Sequence, residues 1–180
     1  TARDAVNNWQ WIGAVDGGVD VLYRFDAVGT RTALTLPAGF RVDALAFDAP
    51  RNEVVALLRD RVAGGLSVQR HAASTGASLA LTPVASDCCS LRAGLSTWSP
   101  QRRGFLVIGQ RSGDAGAGVF GIGFDGVVQA FTAPAAETVQ ALSVNTANGL
   151  VYALRHDQAS ATSTLHQVIL GGSNAAFTAI

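Results

Sequence analysis

The sequence predicts an all-β fold made of β-propeller blades, and three observations carry that prediction. A short strand motif recurs four times, a longer pattern recurs at constant offset, and no long stretch holds the 3.6-residue apolar stripe of a helix. The motif reads Ala33-Leu34-Thr35, Ala80-Leu81-Thr82, Ala130-Phe131-Thr132 and Ala176-Phe177-Thr178, at intervals of 47, 50 and 46 residues. Pro37, Pro83 and Pro134 follow three of the copies. Proline cannot continue a ladder, so each is expected to end an edge strand. The longer pattern pairs Asp43-Ala44-Leu45-Ala46-Phe47-Asp48 with Gln140-Ala141-Leu142-Ser143-Val144-Asn145, an offset of 97. The same offset relates Val54–Asp60 to Val151–Asp157. A middle copy, Leu95–Ser99 followed by Phe105–Gly109, fits after the register shift that a bulge would give.

Each unit then reads as four short strands, a to d. Strand a is expected at 42–47, 93–98 and 139–144, and strand b at 54–59, 105–109 and 150–155. Strand c is expected at 19–25, 66–71, 118–124 and 164–170, and strand d at 31–36, 78–82, 127–132 and 175–179. In strand c of the first unit, alternation puts Val19, Val21, Tyr23 and Phe25 on one face. Turn formers separate the strands: Asp26-Ala27-Val28-Gly29, Ser74-Thr75-Gly76, Asp125-Gly126 and Gly171–Asn174. The units fall at 1–38, 39–87, 88–135 and 136–180. The first is expected to be incomplete: its strand b is Gln10–Val15, and the residues before it make a poor strand a.

A four-stranded antiparallel sheet with two apolar faces cannot bury both alone. Stacking such sheets around an axis buries them and shields their edges. A sandwich or open barrel accommodates short strands but not a fourfold recurrence. The a–b segment, with Ser99-Pro100 and Asp48-Ala49-Pro50 in its turns, resembles the blades of YVTN-type and quinoprotein-like bacterial propellers. It departs from them in lacking Tyr-Val-Thr-Asn at the end of strand b. Closed propellers carry about 4–8 blades. Four units are the minimum of that range, and the incomplete first one points to part of a larger propeller or to completion by association, with a closed four-bladed ring as the alternative.

Composition narrows the partners. The formal net charge is zero and charged residues are 14% of the chain, which gives no basic footprint for nucleic acid. All 13 basic residues are Arg, and there is no Met even at position 1, as in a mature product or an excised segment. No apolar run approaches the ~20 residues of a membrane span. The two cysteines, Cys88 and Cys89, are adjacent. Without further ligands at zinc spacing they are either two thiols or a vicinal disulfide, and an oxidising compartment favours the bridge.

Antiparallel alternation places the b–c and d–a loops of a blade on one face. That face collects Asp16, Arg59, Asp60, Arg111, Arg155, His156 and Asp157. Such acids and arginines can ring a funnel that binds a polar ligand, or they can be solvated strand ends paired among themselves. His156 beside Asp157 has the composition of an oriented base, but neighbours on a strand point apart and no nucleophile motif accompanies them. The run Ser112–Gly118 is glycine-rich but precedes no helix, so it reads as a b–c loop, not a phosphate cradle. No metal site is expected, and His71 and His166 are expected half-buried in strands c. Trp98 aligns with Phe47 and Val144 and reads as core, whereas Trp9 could be exposed or seal an interface.

These readings converge on an extracytoplasmic binding or assembly module, secreted, periplasmic or at the cell surface. Its expected partner is a protein or a small polar ligand, and no cofactor is expected. The alternative is a fragment of a propeller enzyme, a quinoprotein-like dehydrogenase or a lyase, with active residues mostly outside this segment. The resemblance adds that some quinoprotein propellers carry a vicinal disulfide.

Overall fold

A computed structural model describes residues 1–85, 89–114, 116–131, 137–171 and 174–180. The described residues form sixteen strands in four antiparallel sheets, each a four-stranded meander in sequence order, as in propeller blades. The only helical element among the described residues is a single 3-10 turn at Ala49–Arg51, in the a–b connection of the second sheet. The chain divides into two compact units, Thr1–Val84 and Ala85–Ile180, each holding two sheets.

The first unit contains sheet 1, formed by β1 (Ala2–Asp4), β2 (Trp9–Asp16), β3 (Val19–Phe25) and β4 (Arg31–Leu34). Sheet 2 follows, with β5 (Phe40–Asp48), β6 (Glu53–Asp60), β7 (Leu66–Ala72) and β8 (Ser78–Pro83). The residues that read as a poor strand a do form a first strand of sheet 1: β1 pairs Ala2, Arg3 and Asp4 with Trp11, Gln10 and Trp9. Asp4 ends it: its buried carboxylate accepts the backbone N–H of Val6 and of Asn7, both at 2.9 Å, and folds the chain into a turn.

The two sheets of this unit share a cluster of Ala2, Trp11, Leu22, Val54 and Ala73, with Leu45 and Phe47 packed against it. Leu22 is fully buried. It lies on the face of β3 opposite the Val19, Val21, Tyr23 and Phe25 row, in which Tyr23 is also buried, so both faces of this strand carry buried side chains. The sheets approach closely at Gly13, where a Cβ would stand 2.6 Å from Cβ of Val42 on β5. His71 is fully buried here, not half-buried as expected, with its ring 6.0 Å from that of Trp11. Its Nδ1 donates to the Gly76 carbonyl at 3.2 Å.

The second unit holds sheet 3: β9 (Cys89–Ser99), β10 (Gly104–Arg111), β11 (Gly118–Ile122) and β12 (Val128–Phe131). Sheet 4 contains β13 (Glu137–Val144), β14 (Val151–Asp157), β15 (Thr162–Gly171) and β16 (Asn174–Ala179). Leu106, Ile108, Val119 and Phe131 of sheet 3 meet Val139, Val151, Ala153 and Val168 of sheet 4 in one buried cluster. Trp98 is half-buried and packs edge-on against Phe105 at 5.2 Å between ring centroids.

The register shift expected in the middle copy occurs in three a–b pairs. Asp43 is the extra residue between Val42 and Ala44, and Gln140 holds the same place between Val139 and Ala141. In β9 the shift is larger, since Val107 faces Ser96 while Ile108 faces Arg92. A bulge bends and twists the strand. Its recurrence at the 97-residue offset lets the first strand of one sheet follow the surface of the sheet before it.

Two outcomes are expected. Gly13→Ala drives a methyl into Val42 and destabilises the fold by about 1–3 kcal/mol in urea unfolding. Val42→Ala restores part of that loss, as a coupling energy of opposite sign in the double-mutant cycle. Burial lowers the pKa of His71 from 6.5. The unfolded chain therefore takes up this proton first, and stability, level above that pH, declines as pH falls below it. The slope is at most about 1.4 kcal/mol per pH unit. His71→Gln removes it; an unchanged slope in that variant would contradict the assignment.

Candidate functional site

The candidate residues of the first unit stand at the b–c ends of sheets 1 and 2. Asp16 closes β2 before Gly17 and Gly18, whose φ values of +57° and +82° form a two-residue hairpin turn. Its carboxylate accepts the Tyr23 hydroxyl, an unusually short contact, and lies 3.8 Å from the Arg31 guanidinium. The hydrogen bond to Asp16 raises the pKa of Tyr23. Arg31 also stands over the Tyr23 ring at 4.6 Å.

Asp60 closes β6 in another way. Its Oδ1 accepts the backbone N–H of Val62 at 2.7 Å and of Ala63 at 2.9 Å. Those two bonds hold its pKa below 3.8. Arg59 is turned inward along the sheet: Nε donates to Asp43 at 2.7 Å and Nη1 to the Gly64 carbonyl at 3.0 Å. Asp43 also accepts Arg41 Nε at 3.0 Å. Asp43 is thus a site residue that sequence reasoning missed. The available signal was its place as the extra residue of the bulge, where a side chain leaves the strand's alternation.

In the second unit, Asp157 repeats the Asp60 arrangement at the 97-residue offset. Oδ1 accepts the Ala159 N–H at 2.9 Å and Oδ2 accepts the Ser160 hydroxyl at 2.8 Å. The Ser160 hydroxyl is the first of the causes that lower its pKa from 3.8, followed by the Ala159 amide. His156 faces the neighbouring strand, with Nδ1 3.1 Å from the Ser163 hydroxyl. Arg155 departs from the expected rim position. It is 5% exposed, and its guanidinium lies 4.4 Å over the Phe177 ring. Burial lowers its pKa. Arg111 ends β10 exposed, opposite Cys89 in the register. Cys88 lies outside the described residues, and Cys89 begins β9.

The same b–c ends carry apolar residues that the charge pattern hid. In the first unit Val15 and Val19 flank the β2–β3 turn, exposed by 61% and 63%, and Val62 at the β6–β7 turn is 93% exposed. Arg61, beside Val62, donates through Nε to Asp20, beside Val19, in a short ion pair that ties the two turns together. At the other end of sheet 1 an open cleft of about 620 Å³ is lined by Trp9, Gln10, Ile12 and Phe25. Trp9 lies there half-buried beneath Arg24, whose guanidinium is 4.0 Å from the ring centroid. Among the described residues, no three His, Cys, Asp or Glu side chains converge as a metal site would require.

No protein-family model matches the chain, and no curated protein resembles it in sequence. A solved structure matches it in fold: the dipeptidyl peptidase 4 of Porphyromonas gingivalis superposes with a TM-score of 0.58 over 94% of this chain, at 12% identity. The likeness is one of fold. This chain spans 27% of that peptidase.

The turn-closing acids give a direct test. Asp60→Ala exposes the Val62 and Ala63 amides to faster hydrogen exchange, whereas Asp60→Asn, which keeps the acceptor, leaves them protected. Because the folded pKa values of Asp60 and Asp157 are depressed, their contribution is present above pH 3.8 and fades as pH falls through the lowered values. A carboxyl titration by NMR with either midpoint above 3.8 would contradict this account.

Proposed function

We propose that this chain is an extracytoplasmic propeller segment that serves as a binding or assembly module, and that its b–c ends contact a protein partner. The observation that carries the reading is the division of labour at those ends. The acids are engaged with their own turns and arginines, whereas Val15, Val19 and Val62 stand exposed on the two turns that the Arg61–Asp20 pair ties together. Exposed apolar turn residues beside paired charge suit a protein surface better than a small polar ligand. The adjacent cysteines and the low charge support placement in an oxidising compartment. A second reading is favoured by the structural likeness to part of a long peptidase chain: the segment is the propeller portion of a larger enzyme, with its reacting groups elsewhere.

One set of measurements separates the two. Light scattering and chemical crosslinking of the protein from its native compartment should show association. Val62→Asp should weaken that association by about tenfold or more without lowering the melting temperature. Thiol titration of the same material should find Cys88 and Cys89 oxidised. A monomer with free thiols that carries a quinone or metal and turns over substrate, equally in wild type and Val62→Asp, would overturn the binding-module reading.

A further inference from the structure

Six asparagines lie in the chain, and Asn148 alone is followed by glycine. The pair occupies the turn between β13 and β14, and Asn148 is exposed. An asparagine amide is labile when the next backbone nitrogen can reach its Cγ. Glycine at that next position leaves the approach open, because it carries no Cβ. Two hydrogen bonds of the turn bear on this chemistry in opposite ways. The Leu150 N–H donates to Asn148 Oδ1 at 3.1 Å and polarises the Cγ carbonyl, as an oxyanion donor would. The Gly149 N–H donates to the Asn145 carbonyl at 2.7 Å, which holds the attacking nitrogen in its protonated form. The electrophile is prepared, and the nucleophile is withheld until the turn opens.

Gln101 lies over that turn. It comes from the β9–β10 turn of sheet 3, and a Cβ at Gly149 would overlap Cδ, Oε1 and Nε2 of its side chain. Gly149 stands at φ +73°, in the left-handed region. Its equivalent at the 97-residue offset, Asn52, stands at φ +52° and accepts Asn7 Nδ2 of the β1–β2 turn at 3.0 Å. In each unit, then, an amide side chain from the first turn of one sheet reaches the left-handed residue in the first turn of the next. Sheet 4 differs from sheet 2 in what precedes that residue: Asn148 stands where sheet 2 has Arg51.

We propose that Asn148 is a site of spontaneous covalent modification, deamidated through attack by the Gly149 backbone nitrogen, and that the Gln101 side chain over Gly149 governs its rate. The step balances within the chain and its solvent. The Gly149 nitrogen gives up its proton and forms a bond to Asn148 Cγ. The bond from Cγ to the side-chain nitrogen breaks, and that nitrogen takes the proton and leaves as ammonia. Water then opens the resulting succinimide at either carbonyl, giving aspartate or isoaspartate. Both products add a negative charge to the turn. Isoaspartate also adds a methylene to the main-chain path, so the Val144–Val151 pairing that borders the turn has to shift. The turn is the part of sheet 4 that Gln101 of sheet 3 covers, so the modification acts on the contact between these two sheets. The inference stands apart from the proposed contact at the b–c ends.

The test is peptide mapping by mass spectrometry of the 180-residue chain during incubation in mildly alkaline buffer, with fragmentation that tells aspartate from isoaspartate. Conversion is expected at Asn148 ahead of the other five asparagines. It should run slower by about tenfold or more than in a synthetic peptide with the sequence of Asn145–Val151, which has no turn to open. Gln101→Ala should speed it by about threefold or more, with amide exchange at Gly149 accelerated by a similar factor. Gln101→Met, which keeps a side chain of similar length over Gly149, should stay near the wild-type rate. Circular dichroism checks that both variants remain folded. Absence of conversion at Asn148 while the peptide converts overturns the proposal. A folded chain that converts as fast as the peptide, or Gln101→Ala at the wild-type rate, overturns the part assigned to Gln101, as does Gln101→Met as fast as Gln101→Ala.

Discussion

No sheet of this protein can bury its own apolar faces, and the contact within each unit between its first sheet and the bulged first strand of its second is what the rest of that unit depends on. In the first unit Val42 of β5 fills the place where Gly13 has no side chain. In the second, Val139 of β13 is buried against Leu106, Ile108 and Val119, and its N–H donates to the Ala117 carbonyl at 2.9 Å. Each fully buried aliphatic side chain is worth about 1.5–3 kcal/mol relative to exposure. Those gains accrue across sheets, since the two faces of one sheet never meet each other. The bulge is the geometric device that makes the contact continuous. A regular strand would diverge from the twisted sheet beneath it, while one extra residue bends it back.

The fold was legible because this contact repeats. Alternation located strands within a few residues, and the 97-residue offset identified equivalent strands in sheets 2 and 4. What alternation could not supply was which side chains are buried: in β3 both faces contribute, Tyr23 from the Val19, Val21, Tyr23 and Phe25 row and Leu22 from the opposite face, where it meets Trp11 and Val54. The site was legible to a smaller degree. Asp60 and Asp157 were found as equivalents, and they do play the same part. Arg155 was misplaced to the rim because a charged residue near a strand end reads as solvated. A ring to lie against, Phe177, is supplied by the strand β16, which is remote in sequence. Asp43 was hidden for a related reason: a bulge residue shows itself in pairing, not in composition.

The exclusive use of arginine takes on a structural meaning in this setting. Guanidinium groups lie over rings at Arg24 and Trp9, Arg31 and Tyr23, Arg102 and Phe131, and Arg155 and Phe177, between 4.0 Å and 4.7 Å from the centroids. Arg70 grips Glu53 through Nε and Nη2, both at 2.8 Å. A planar fork can stack and donate sideways at once, as Arg102 does to the Leu170 carbonyl at 2.6 Å; an ammonium on a flexible stem cannot. The geometry explains why these positions would not accept lysine without loss.

The acids at the ends of the second strands complete the argument about function. A group that works as a general acid or base near neutral pH needs a pKa close to that pH. Asp60 and Asp157 are shifted the opposite way, because backbone and hydroxyl donors stabilise their charged forms. They are committed carboxylates, fixed in shape by the turns they close. Such groups hold a loop in one conformation and leave the contact to whatever the loop presents. On the first unit that is valine. Aspartates committed to their own turns, beside exposed valines, are the physical basis of the proposed interface at these ends.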